Sequence, residues 1–220
     1  MSRMKQCPKL IVFFGSDGTG KSTQARLLQE YLRHRKCRPW WAWIRGRHLL
    51  AFVLANLLAR FGYYQTKELS TGIKHKTFDP RLLPKLKPLW GFIEFISVLP
   101  WIFFRVHLPM FFGYTVIAER YVVDTVVYLG YWLGQGFLHG FLAKILLSFI
   151  PLGSVLIHLD AEMQILMERT QNDIVTQDFL VFQQKVYQIL AKKLGAVTVD
   201  TSKCSVKETF QRILQVLDAD

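Results

Sequence analysis

The chain has 220 residues, of which 51% are hydrophobic, 14% aromatic and only 20% charged. That apolar content excludes a disordered or linker protein and is enough to bury one sizeable core. Lys and Arg number 28 against 16 Asp and Glu, a net +12, which favours polyanionic partners: nucleotide phosphates, nucleic acid or an anionic membrane surface. The three cysteines, Cys7, Cys37 and Cys204, lie far apart with no C-x-x-C pair. Their spacing supports neither a disulfide framework nor a zinc site, and the expected compartment is reducing and cytoplasmic.

In chain order, the short apolar run LIVFF at 10–14 reads as a strand and 21–36 as a helix. WWAWI at 40–44 reads as a second strand and 48–61 as a second helix. A stretch punctuated by Pro80, Pro84 and Pro88 follows, with the basic run Lys74-His75-Lys76 read as a solvated face. Then come a helical pattern over 89–107, the strand TVIA at 115–118 and further helices to about 149. VLIHL at 155–159 is a fourth strand, 161–169 and 178–194 are helices, AVTVD at 196–200 is the last strand, and 205–218 closes the chain as a helix. Five strands separated by helices imply one α/β domain over 1–220, a layered sandwich whose mostly parallel sheet is buried on both faces.

Two segments approach membrane-spanning composition. The 19 residues between Asp124 and Lys144 carry no charge, but Gly130, Gly134, Gln135, Gly136, His139 and Gly140 weaken and polarise their middle. Residues 89–118 are as apolar, yet Glu94, Pro100, Arg105, His107 and Pro109 interrupt them. Both segments read as buried or surface-lying helices, and peripheral membrane contact stays open for the aromatic helix at 86–112.

The chemistry-bearing signal is Gly15-Ser16-Asp17-Gly18-Thr19-Gly20-Lys21-Ser22-Thr23, which fits G-x-x-x-x-G-K-[ST] between a predicted strand and a predicted helix. Glycines let the backbone fold around phosphate oxygens so that N–H groups point inward, and the helix start adds partial positive charge. Lys21 is expected to reach the β- and γ-phosphates of ATP, and Ser22 the Mg2+ ion that accompanies it. Glu119 and Arg120 follow an apolar strand at its carboxyl end, where open α/β sheets bind ligands, and suit metal-water or proton handling and acceptor-phosphate binding. Arg45 and Arg47 also follow a strand. Trp40, Trp41 and Trp43 read as core or rim packing, and nucleic acid is not the expected partner.

The loop, then Ala118-Glu119-Arg120-Tyr121 with Asp124, Thr125, Val127 and Tyr128, resembles the thymidylate kinase family of P-loop nucleoside-monophosphate kinases. Further matches are Leu159-Asp160 with Arg169 nine residues on, Tyr187 with Leu190-Ala191, and Val199-Asp200-Thr201-Ser202; together the matches span 10 to about 215. The resemblance implies a P-loop three-layer sandwich with a short lid at about 170–178, ATP-dependent phosphorylation of a pyrimidine monophosphate, Mg2+ held through Ser22 and Glu119, and a homodimer. It also implies an acceptor site from Arg120, Tyr121, Asp124, Tyr128, Arg45 and Arg47, and catalytic roles for Lys21, Asp17, Glu119, Arg169 and Arg45. The sequence departs from the family at three places. Glu119 replaces the family's leading Asp, no arginine lies in 89–104 where the family reads its base, and no Lys or Arg lies between Gln171 and Gln184. With Gly18 following the loop carboxylate, the transition-state cation is expected from Arg169, Arg45 or Arg47. The alternative reading is a non-kinase P-loop nucleotide-binding protein in which nucleotide switches the aromatic, basic face at 86–112 on or off a membrane surface or a partner.

Overall fold

The computed structural model describes residues 7–44, 49–68, 74–78, 85, 87–170 and 177–219. Five strands, β1 (Leu10–Phe14), β2 (Pro39–Trp43), β5 (Thr115–Glu119), β6 (Val155–Asp160) and β7 (Val197–Asp200), form one sheet in the order β2-β5-β1-β6-β7. Every pairing is parallel, which sharpens the expected mostly parallel sheet. β1 and β5 are buried at all five positions because helices cover both faces, and this is why they read as continuous apolar runs without alternation.

On one face, α1 (Lys21–His34) and α10 (Val206–Ala219) pack Leu28, Leu32, Ile213 and Leu217 against Ile11, Phe13 and Ile117. On the other, α3 (Lys87–Ile102), α5 (Val122–Leu133), α7 (Phe141–Ser148) and α9 (Gln177–Leu194) bury Val98, Ile102, Val126, Leu146 and Leu190 against Val12, Phe14 and Val116. The remaining helices are α2 (Leu49–Arg60), the short α4 (Leu108–Phe111), α6 (Gln135–His139) and α8 (Met163–Arg169). The charge-free window is broken as its glycines suggest: α5 stops at Gly134, whose φ is 101°, and α6 and α7 follow as separate pieces.

Three features differ from the sequence reading. The punctuated stretch contains an antiparallel hairpin, β3 (Tyr64–Glu68) with β4 (Lys74–Phe78), so the Lys74-His75-Lys76 run lies on a strand. Its polar composition carries no period-2 apolar signal, so burial patterning could not reveal it. Cys7 and Cys37 are joined as a disulfide, a correction to the expectation of unpaired cysteines; one precedes β1 and the other β2, and the sheet brings their Cα atoms to 6.0 Å across a 30-residue separation. The helix pattern at 89–107 is longer than expected, because a π-helical turn at Phe103–His107 joins α3 to α4 without a break. The resulting helix, Lys87–Phe111, is long and apolar enough to cross a membrane by length and composition, yet 44% of its most apolar window is buried in the protein.

The loop after β1 is pinned by its first glycine. Gly15 has φ 141°, and a Cβ there would lie 2.0 Å from the carbonyl oxygen of Leu159 on β6. Both the backbone conformation and the neighbouring strand demand glycine. We expect Gly15→Ala to destabilise the fold by about 2 kcal/mol or more and to displace the loop, measured by denaturant unfolding together with ATP binding; wild-type values for both would contradict this packing.

Candidate active site

The loop runs from the end of β1 to the start of α1, and its residues Ser16, Asp17, Thr19 and Lys21 are buried. Gly18 (φ 83°) and Gly20 (φ 85°) take left-handed conformations, the second directly before the helix. Lys21 Nζ donates to the Ser16 carbonyl (2.5 Å) and to Thr19 Oγ1 (3.2 Å), so its ammonium lies within the loop it is expected to serve. Burial, and then the Arg120 guanidinium, push the Lys21 pKa down to about 7, although Asp17, Asp124 and Glu119 pull it upward.

Glu119 ends β5, and its Oε1 accepts a hydrogen bond from Ser22 Oγ. The hydroxyl and carboxylate named for metal binding therefore converge, although 97 residues separate them. An oxygen pair of this kind beside a phosphate loop fits Mg2+, which takes few protein ligands and otherwise keeps water and phosphate oxygens.

Arg120 follows directly with φ 57°, a left-handed conformation uncommon outside glycine and costing about 1–3 kcal/mol unless its surroundings enforce it. They do. Its N–H donates to the Phe13 carbonyl (3.2 Å), and its buried guanidinium is paired with Asp17 of the loop and with Asp124 of α5 (3.5 Å). Desolvation alone would weaken the cation, but Asp124 and Asp17 hold its pKa above the ordinary value. Tyr187 on α9 donates to Asp124 Oδ1 (2.7 Å). Gln183, also on α9, accepts from the Asp17 N–H (3.3 Å) and donates to Asp17 Oδ2 (3.5 Å). The loop, the end of β5, α5 and α9 thus meet in one buried polar network.

On one side of this network, Arg120, Asp124, Thr125, Tyr128, Phe179, Gln183 and Tyr187 line a cleft. On the other, Gly18, Thr19, Gly20, Thr23, Gln24, Arg169, Thr201, Cys204, Val206 and Thr209 line a second cavity of about 260 Å³ against the loop. Arg169 links two walls of that cavity: Nη1 donates to the Gly18 carbonyl (3.2 Å) and Thr201 Oγ1 (3.3 Å), and Nη2 to the Thr201 carbonyl (3.1 Å). The absence of a side chain at Gly18 gives it room, since a Cβ there would meet Arg169 Cβ at 3.3 Å.

The structure gathers Asp17, Lys21, Ser22, Glu119, Arg120 and Asp124 around the loop, with Tyr128 in the adjoining cleft and Arg169 on the far side. Tyr121 departs from its expected acceptor role. Its side chain is fully buried in the core, and its hydroxyl donates to the Phe149 carbonyl (2.9 Å) beside His107, so the residue anchors the end of β5 to the helices beneath it. Arg45, Arg47 and residues 171–176 of the expected lid lie outside the described residues. His158 is buried against Phe14, with burial pushing its pKa down to about 4. Gln183 and Phe179 were not singled out from sequence; on helix α9 they lie on the face that meets α5, a pattern that marks packing and function alike. Thr209 and Gln24 likewise looked like ordinary helix positions.

No family model matches the sequence. Among solved structures, the thymidylate kinase from Ehrlichia chaffeensis superposes with a TM-score of 0.58 at 19% identity, covering 94% of this chain and 97% of that one. The thymidylate kinase from Candida albicans, whose structure is described as revealing the origin of broad substrate specificity, superposes at 0.60 with 17% identity, covering 96% and 91%. The chain therefore has the thymidylate kinase fold over nearly its whole length.

Proposed function

We propose that this chain is a nucleoside-monophosphate kinase that transfers the γ-phosphoryl group of ATP, with Mg2+, to a pyrimidine nucleoside monophosphate. The carrying observation is the Asp17–Arg120–Asp124 bridge, because it sets a buried guanidinium between the phosphate loop and a separate cleft. A nucleotide-binding switch needs one phosphate site; phosphoryl transfer needs two, facing one another across the transferred group.

In this reading, Lys21 and the loop N–H groups bind the donor's β- and γ-phosphates, and Arg169 holds the donor at the cavity bounded by Thr201. Arg120 exchanges part of its pairing with Asp17 and Asp124 for the acceptor phosphate, a charge-assisted and geometrically specific contact. Asp17, freed in the exchange, stays beside the attacking group. Glu119 and Ser22 would hold Mg2+, which neutralises charge on the donor phosphates when bound. Tyr128 and Phe179 line the acceptor cleft, where a base or sugar would lie. The barrier is lowered by placement and electrostatics, with no covalent intermediate on the protein.

The experiment is a steady-state panel of nucleoside monophosphates with Mg-ATP, following ADP and diphosphate products. Acceptor-stimulated turnover with a pyrimidine monophosphate supports the proposal, and ATP binding without turnover for any monophosphate overturns it.

Three outcomes follow from the geometry. Burial holds the Lys21 pKa down to about 7 in the free chain. Donor phosphates favour its charged form, so above pH about 7 Mg-ATP binding is expected to take up protons and to weaken as pH rises. Calorimetry in buffers of different ionisation enthalpy reads this uptake, which Lys21→Ala removes along with turnover. Arg120→Ala is expected to lower acceptor kcat/KM by at least about 10²-fold, raising KM as well, and to destabilise the fold by about 3–5 kcal/mol because two carboxylates lose their buried partner. Arg169→Ala should lower kcat by at least about 10²-fold with a smaller effect on acceptor KM; a selective rise in acceptor KM would place Arg169 on the other side of the bridge.

A further inference from the structure

Helix α9 meets the carboxyl ends of three sheet strands through uncharged side chains. Gln183 with Tyr187, and Gln184 with Gln188, stand four residues apart, so the helix presents two adjoining rows of polar groups. Gln184 donates to Asp160 Oδ1 (3.1 Å) and to the Ala161 carbonyl (2.8 Å), and Gln188 to Asp160 Oδ2 (2.8 Å), at the end of β6. Tyr187 donates to Asp124 Oδ1 (2.7 Å), beyond the end of β5. Gln183 turns to the phosphate loop and makes a two-point contact with a single residue: its Oε1 accepts from the Asp17 N–H (3.3 Å), and its Nε2 donates to Asp17 Oδ2 (3.5 Å). Both residues are buried.

We infer that Gln183 is the positioning residue for Asp17, holding that carboxylate beside the attacking group while Arg120 turns to the acceptor phosphate. The inference rests on the kinase reading. In the free chain Arg120 holds Asp17 by Oδ1. An acceptor phosphate that takes over part of the guanidinium loosens this hold, and Asp17 would then be free to rotate. The Gln183 contact is made to the other oxygen and to the backbone N–H of the same residue, so it persists through the exchange. Hydrogen bonds of this kind are commonly long before substrate arrives and tighten in the complex.

The residue type fits the task. An amide carries a donor and an acceptor on one planar group, which matches a carboxylate oxygen and an N–H of one partner. A glutamate would set a second carboxylate against Asp17. A lysine or arginine would add a third cation where burial and Arg120 already push the Lys21 pKa down. Glutamine orients Asp17 and leaves the charge of the site unchanged. Gln183 also lines the acceptor cleft, but both ends of its amide are engaged by Asp17, which favours positioning over contact with a base.

The test is steady-state kinetics of the full chain with Mg-ATP and acceptor. Gln183→Ala is expected to lower kcat at least about tenfold with less than about a threefold change in acceptor KM. Gln188→Ala removes a tether of α9 that does not touch Asp17 and should keep kcat within about twofold, which separates positioning from anchoring of the helix. In the nearly isosteric Gln183→Glu, two carboxyl groups face each other and share a proton above the ordinary carboxylate range; Asp124 favours its retention and Arg120 and Lys21 oppose it. That proton replaces the amide hydrogen. As pH rises and it leaves, repulsion turns Asp17 away, so kcat relative to wild type should fall about threefold or more between pH about 6 and about 8.5, while the ratio for Gln183→Ala stays flat. This profile keeps the test open if the alanine variant fails to fold. Wild-type kcat in Gln183→Ala, an equal loss in Gln188→Ala, a rise in acceptor KM alone, or a flat ratio for Gln183→Glu would overturn the inference. A wild type without turnover for any monophosphate overturns the kinase reading and this inference with it, so the two failures are distinct.

Discussion

The buried cation Arg120 is the constraint on which the rest of the site depends. It stands in a left-handed conformation at the end of a central strand, and Asp17 and Asp124 hold it there from two different elements. Without the carboxylates a guanidinium could not remain buried, and without the guanidinium two acids would face each other across a dry interior. The network therefore fixes the position of the phosphate loop relative to α5 and, through Gln183 and Tyr187, relative to α9. Its strength sets a limit on the chemistry as well: any acceptor phosphate reaching Arg120 competes with charges already satisfied, so binding it rearranges the network.

The all-parallel sheet explains why these groups meet. With β1 at its centre and β5 and β6 beside it, the carboxyl ends of three strands deliver the loop, Glu119 with Arg120, and Asp160 to one edge. Residues about 100 positions apart in sequence, such as Ser22 and Glu119, become neighbours by strand order alone. The two sides of that edge then differ in character, with Arg169 and Thr201 bounding one cavity and Tyr128 and Phe179 the other.

Much of this was legible in the sequence, for identifiable reasons. The five sheet strands showed because burial on both faces leaves unbroken apolar runs, and the loop showed because its glycines and lysine serve backbone geometry and charge that few other arrangements require. Glu119 and Arg120 were found through their place at a strand end. The hairpin at Tyr64–Phe78 was missed because short polar strands lack an apolar period. The Cys7–Cys37 pair was missed because strand order, not cysteine spacing, brings the two together. The acceptor role that the resemblance implied for Tyr121 does not fit its position, because a motif match carries residue type but not side-chain direction: Arg120 turns to the site, and Tyr121, at the start of α5, turns into the core.

The central claim is that two phosphate sites face each other across the Asp17–Arg120 bridge. Binding of a bisubstrate compound, adenosine joined to a pyrimidine nucleoside through a polyphosphate, tests it most directly by calorimetry with competition. The account predicts one molecule bound per chain, displaced both by ATP and by a pyrimidine monophosphate, and weakened by Arg120→Ala. A compound displaced by ATP alone, with affinity indifferent to Arg120, would contradict it.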